Sequence, residues 1–173
     1  MIRHDIEQKA QQFLARHGVT GAPVPVEDMA RSEYIQVVRS PTAGQESGFL
    51  LRNDRGVMIG INGNESPRRQ RFTIAHELGH WLLHDGRPLI VDHTVRINQR
   101  NEVSSAASDQ EEIDANAFAA ALLMPYHLVN ESATRWINSG FNTPDKLTQQ
   151  LANEFAVSTQ AMNWRLVNLG VYN

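Results

Sequence analysis

Between Thr73 and Leu83 the chain reads TIAHELGHWLL: two histidines four residues apart, an acid directly after the first, and no other charged residue or proline. No other feature constrains the fold as tightly. Residues four apart share a face on an α-helix, where their Cβ atoms stand about 5–6 Å apart. Two imidazoles so placed reach one divalent ion at about 2.0–2.1 Å each. Glu77 is one step round the helix from His76, so it is a poor ligand alongside both rings. It is instead placed to take a proton from an attacking water, as a general base. The uncharged flanks fit a helix buried beneath such a site, where a low dielectric strengthens both cation and carboxylate. Ser66-Pro67 supplies a helix cap followed by proline at the first helical position. A helix is therefore predicted from Pro67 to about His84, stopping at Asp85-Gly86-Arg87-Pro88.

The third ligand has to come from elsewhere. The longer pattern with a glycine and a third histidine fails, because Leu83 and Gly86 occupy those places. His84 lies eight residues beyond His76, about 12 Å along a straight helix, too far for one ion to take both with His80. Its readings are a partner behind a ligand, a substrate contact or a cation at the helix C-terminus. A second helix is expected after Ser108-Asp109, ending at Met124-Pro125, and it carries Glu111, Glu112 and Asp114. Its alanines let two helices approach closely. We select Glu112, because Asn116 follows one turn on and can hydrogen-bond the other nitrogen of a ligand histidine, fixing its tautomer. The remaining acids read as first-turn charges that complement the helix dipole.

The rest of the chain reads as further helices and a few short strands. Ile6, Ala10, Phe13 and Leu14 form a helical stripe ending near Gly18. A short helix is expected around Glu27–Arg31, a strand over Tyr34–Val38 and a loop over 41–45. Gly48–Arg52 and Val57–Ile61 flank Asn53-Asp54-Arg55-Gly56, good hairpin chemistry, and either strand could offer an open edge to an extended substrate. Leu89–Val91 and Val95–Ile97 read as short strands, and Asn98–Ser108 as a polar loop. Two or three helices close the chain, starting near Thr143-Pro144 and Ser158. At 173 residues the chain buries enough surface to need no staple. It has no cysteine, which excludes disulfides, thiolate metal sites and a cysteine nucleophile. No secretory signal and no apolar run long enough for a bilayer is visible, so the expected location is cytoplasmic.

The segments RRQRFTIAHELGHWLLH (68–84) and EEIDANAFAAALLMP (111–125) resemble the ImmA/IrrE family of zinc metallopeptidases. PVPVEDMARSEYIQVV (23–38), GINGN (60–64) and LANEFAVSTQAMNWRLVNLG (151–170) are similar to its other regions, so the likeness covers nearly the whole chain. The resemblance implies an α+β fold, with a zincin-like metallopeptidase core over 1–142 and a small antiparallel or mixed sheet. A helical segment over 143–173 would pack on it as part of one domain. It implies Zn²⁺ held by His76, His80 and the glutamate of the second helix, with Glu77 as base. The family commonly reads Glu-x-Glu-Ala-Asn where this chain has Glu112-Ile113-Asp114-Ala115-Asn116, and the replaced second acid favours Glu112. It further implies endopeptidase action on a protein substrate, with a helix-turn-helix transcriptional repressor as the expected substrate class. For the tetrahedral oxyanion, Tyr126, His127, His93 and a loop arginine are candidate donors.

A rival class is a regulator that binds DNA or protein through a metal-stabilised, non-hydrolysing version of this fold. Residues 147–170 have helix-turn-helix spacing. From Thr143 onward, however, two cations, Lys146 and Arg165, face two acids, Asp145 and Glu154, a poor balance for phosphate contacts. Direct DNA binding is therefore not expected. Trp81, Trp136 and Trp164 fall at helical positions and read as core. Arg68, Arg69 and Arg71 read as a solvated face or a contact to an acidic substrate.

Overall fold

The computed structural model describes residues 3–41, 46–84, 88–93, 106–141 and 143–171. Their element order is α1 (Arg3–Arg16), α2 (Val26–Ser32), β1 (Ile35–Ser40), β2 (Glu46–Asn53), β3 (Gly56–Asn62), α3 (Pro67–Leu83), β4 (Leu89–His93), α4 (Ala106–Leu123), α5 (Tyr126–Asn138), α6 (Pro144–Glu154) and α7 (Thr159–Asn168). The fold is α+β, as expected. The stop predicted at 85–88 lies largely outside the described residues, as do a strand at 95–97 and most of the loop at 98–108. The loop at 41–45 lies outside them too, except for Pro41. The second helix begins at Ala106, four residues earlier than a start after Ser108-Asp109 would give.

The sheet is mixed, with strand order β1-β3-β2-β4. β2 and β3 form the expected hairpin, with Asn53 opposite Gly56. Asn53 Oδ1 accepts a hydrogen bond from the Arg55 N–H at 2.9 Å, and Gly56 takes φ +129°, which a side chain rarely tolerates. The expected open edge is corrected. β1 adds parallel to β3 and β4 adds antiparallel to β2, so both hairpin strands are internal, and among the described residues the edges are β1 and β4.

One face of the sheet takes α3, and α4 packs over α3 with α1 beside it. Ile6, Ala10, Phe13 and Leu14 of α1 are all buried, as their spacing predicts. Phe13 meets Phe118 of α4, with ring centroids 6.4 Å apart, and Trp81 of α3 at 6.5 Å.

Two glycines let the layers close. A Cβ on Gly48 of β2 would stand 2.4 Å from Thr73 Cγ2 and 2.7 Å from the Gly60 carbonyl oxygen. Gly48→Ala is expected to cost about 1–3 kcal/mol by overpacking. That lowers the melting temperature by about 2–12 °C in a calorimetric scan; an unchanged melting temperature would contradict the contact. On α3, Gly79 lies against α4, where its Cβ would sit 3.1 Å from the Ala115 Cα.

The C-terminal helices are tied by charge as well as by apolar packing. Arg165 of α7 is buried, pairs through both terminal nitrogens with Glu7 of α1, and donates from Nε to the Met124 carbonyl at 2.9 Å. Glu154 of α6 accepts from Ser132 Oγ at 2.7 Å, Trp136 Nε1 at 2.6 Å and Arg135 Nη2 at 2.5 Å, all on α5. Burial alone would raise the Glu154 carboxyl; the three donors and the Arg135 charge outweigh it and hold it below the usual value. A carboxyl lowered by folding stabilises above its unfolded pKa, and that stability is lost as pH falls through the folded value. Glu154→Gln is therefore expected to flatten the loss of stability with acidification below about pH 4.5, read as urea midpoints across pH. Parallel curves for both proteins would refute it.

Candidate metal centre

α3 presents His76, Glu77 and His80 on its covered side, all at most 1% exposed. The helix is started by Ser66, whose Oγ accepts from the Arg69 N–H at 3.3 Å, with Pro67 at the first position. Its C-terminal end is held by Arg52 of β2, whose Nη2 donates to the carbonyls of His80 and His84 at 2.9 Å each. The close approach at Gly79 and Ala115 brings α4 within reach, with Glu112 and Asn116 facing α3.

The two Nε2 atoms of His76 and His80 are 3.0 Å apart. Glu112 Oε2 is 3.3 Å from His76 Nε2, and Oε1 is 3.1 Å from His80 Nε2. Bonds of about 2.0–2.1 Å at tetrahedral angles put neighbouring ligand atoms about 3.3 Å apart, so the spacing suits one small divalent ion. Among the described residues these three form the one such group. Asp114 is buried elsewhere and accepts from Gln110 Nε2 at 2.8 Å, and Glu111 is not in the group.

The hydrogen bonds behind the rings point the same way. His76 Nδ1 lies 3.2 Å from Asn116 Oδ1, an acceptor, so that nitrogen carries the proton. His80 Nδ1 lies 3.2 Å from His84 Nδ1. With His80 as donor there, both Nε2 lone pairs and a carboxylate converge on one point. Three acceptors at such distances need a cation or added protons between them. Burial alone would raise the Glu112 carboxyl; when the two rings are protonated, their hydrogen bonds and charges outweigh it and hold the carboxyl well below the carboxylate range, so protons can stand in for the cation. Burial and the neighbouring His80 lower the His84 ring, partly offset by Glu111, Asp114 and Glu112. Glu77 directly follows His76 and lies against β2, its Oε1 3.6 Å from where a Gly48 Cβ would be.

The structure thus brings His76, His80, Glu112 and Asn116 together, with Glu77 beside them. Of the oxyanion candidates, Tyr126 and His127 instead line a cavity of about 420 Å³ with His4, Glu7 and Arg165. The His93 side chain and the loop arginines lie outside the description. The arginine cluster splits: Arg71 donates to the Val24 carbonyl at 2.8 Å and Arg69 to Ser47 Oγ at 2.9 Å, while Arg68 bonds Asn153 Oδ1 at 2.8 Å. Sequence reasoning missed Arg52, and it misjudged Trp164, which is 60% exposed rather than core.

The sequence profile of the IrrE N-terminal-like domain matches residues 30–167. The metallopeptidase ImmA of Bacillus subtilis (strain 168) is 28% identical over 170 residues, covering 97% of this chain and 88% of that protein. The radiation response metalloprotease IrrE of Deinococcus deserti is 38% identical over 84 residues, covering 48% of this chain but 28% of that protein. Among solved structures, a Mycobacterium tuberculosis transcriptional regulator superposes with a TM-score of 0.60 at 16% identity, over 92% of this chain and 45% of that one. That last likeness is one of fold.

Proposed function

We propose, from the premise that this chain belongs to the IrrE N-terminal-like domain family, that it is a zinc-dependent endopeptidase of zincin-like architecture. The observation that carries the reading is the convergence of His76 Nε2, His80 Nε2 and a Glu112 carboxylate within 3.0–3.3 Å of one another. Two imidazoles and a carboxylate suit zinc among the common divalent ions. When bound there, the ion supplies Lewis acidity toward a peptide carbonyl and makes an adjacent water more acidic.

The chain's own groups do the rest. Asn116 and His84 hold the ligand rings with Nε2 turned inward. Glu77 takes the proton of the attacking water and passes it to the leaving amine, which splits the peptide bond. The extended substrate pairs with the outer edge of β4, the strand that ends the sheet beside β2. We further read residues 1–142 and 143–173 as one domain, supported by the Glu7–Arg165 pair.

The substrate class we assign is a helix-turn-helix transcriptional repressor, supported by the resemblance to ImmA/IrrE regulators; such a substrate would place the reaction in the cytoplasm. Direct DNA binding is the weaker reading, because Arg165 is buried and paired with Glu7, which removes one of the two cations of the C-terminal segment. Among the described residues no helix is long and apolar enough to cross a membrane. The test is incubation of the zinc-loaded protein with a peptide library and with the candidate repressor, reading new N-termini by mass spectrometry. New termini support the reading, and none in either mixture contradicts it.

A further inference from the structure

On the side of His76 the candidate metal centre adjoins a groove of about 680 Å³ between α1, the first half of α3, α4 and α7. Phe72, Ala117, Ala120, Met124 and Trp164 give it an apolar lining, and Asn116, the partner of His76, is part of its wall. Phe72 stacks on the His76 ring, with centroids 6.3 Å apart. The groove is thus continuous with the face that holds a candidate ligand. Concave, mostly apolar space of this size with a few placed polar groups is typical of ligand sites. Trp164 stands in it 60% exposed, a large flat surface open to an occupant. On the lining Arg68 hydrogen-bonds the neutral side chain of Asn153. By contrast the groove's other charged residues meet charges of opposite sign, Arg69 with Glu65 at 3.7 Å and Arg165 with Glu7 at 3.0 Å.

We propose that this groove is the specificity pocket of the peptidase. It takes a large apolar side chain of the substrate beside the scissile bond, packed on Trp164 and Phe72, and an acidic residue of the same segment meets Arg68. The proposal rests on the peptidase reading of the adjoining site. α7, which that reading leaves without a role, becomes the wall that selects substrate.

Three hydroxamates, which chelate zinc, test it by calorimetric titration of the zinc-loaded protein: acetohydroxamate, one carrying an isobutyl group, and one carrying isobutyl plus a terminal carboxylate. Acetohydroxamate is expected to bind the natural protein, Trp164→Ala and Arg68→Gln alike. The isobutyl group is expected to gain about tenfold or more in the natural protein. That gain is lost in Trp164→Ala and largely restored in Trp164→Phe. The carboxylate is expected to add about threefold, a gain absent in Arg68→Gln. An isobutyl group that gains nothing, or gains equally in Trp164→Ala, overturns the pocket. If no hydroxamate binds at all, the metal reading fails, and a separate measurement still judges the groove. The matching isobutyl amide, which cannot chelate, should shift the Trp164 indole N–H resonance of the metal-free protein at millimolar concentration. No shift overturns the proposal.

Discussion

Replacing Glu77 with glutamine is expected to lower peptide cleavage by about 10²–10⁴-fold while leaving metal content and melting temperature close to those of the natural protein. The glutamine amide keeps the shape of a side chain that is fully buried beside His76, so packing against β2 at Gly48 survives. What disappears is the capacity to accept a proton from water and return it to the amine. Glu77 is not among the three atoms that converge, so the ion stays. Rates measured at saturating zinc, with metal content from the same samples, separate the two effects. A glutamine variant that cleaves within about threefold of the natural rate would remove Glu77 from the chemistry.

The second large effect concerns the third ligand. Glu112→Ala is expected to abolish stoichiometric metal, whereas Glu111→Ala retains it. Removing a partner behind a ligand typically costs about 10–100-fold in metal affinity, and removing a ligand costs more. Asn116→Ala should therefore fall between the two, since Asn116 touches His76 Nδ1 and not the converging atoms. Because bound ligand stabilises the native state by mass action, adding zinc should raise the melting temperature of the Glu111 variant and not that of the Glu112 variant. Metal loss in the Glu111 variant alone would reassign the ligand.

Much of this centre was legible before any coordinates. Helical spacing of four put His76 and His80 on one face, and the one-turn offset between Glu112 and Asn116 singled out one acid of three. Those are local signals, carried by a single helix each. What was not legible depends on residues far apart in sequence. Whether a strand is an edge depends on what later pairs with it, so the hairpin's enclosure by β1 and β4 had no local sign. Arg165 entered the sequence reading only as one of two cations in the C-terminal segment; its burial had no local sign because its partner, Glu7, is 158 positions away. Trp164 looked like core because a tryptophan at helical spacing usually is, yet it faces a groove. Gly48 and Gly79 carry no periodic signal, although their missing side chains let β2 and α4 approach α3.

The central claim is that His76, His80 and Glu112 hold a single ion. X-ray absorption at the metal edge of the purified protein tests it most directly. The account predicts one zinc per chain with a first shell of nitrogen and oxygen at about 2.0–2.1 Å, showing the outer-shell scattering of two imidazoles. A protein that cannot be loaded with stoichiometric metal, or whose bound metal shows no imidazole scattering, would contradict it.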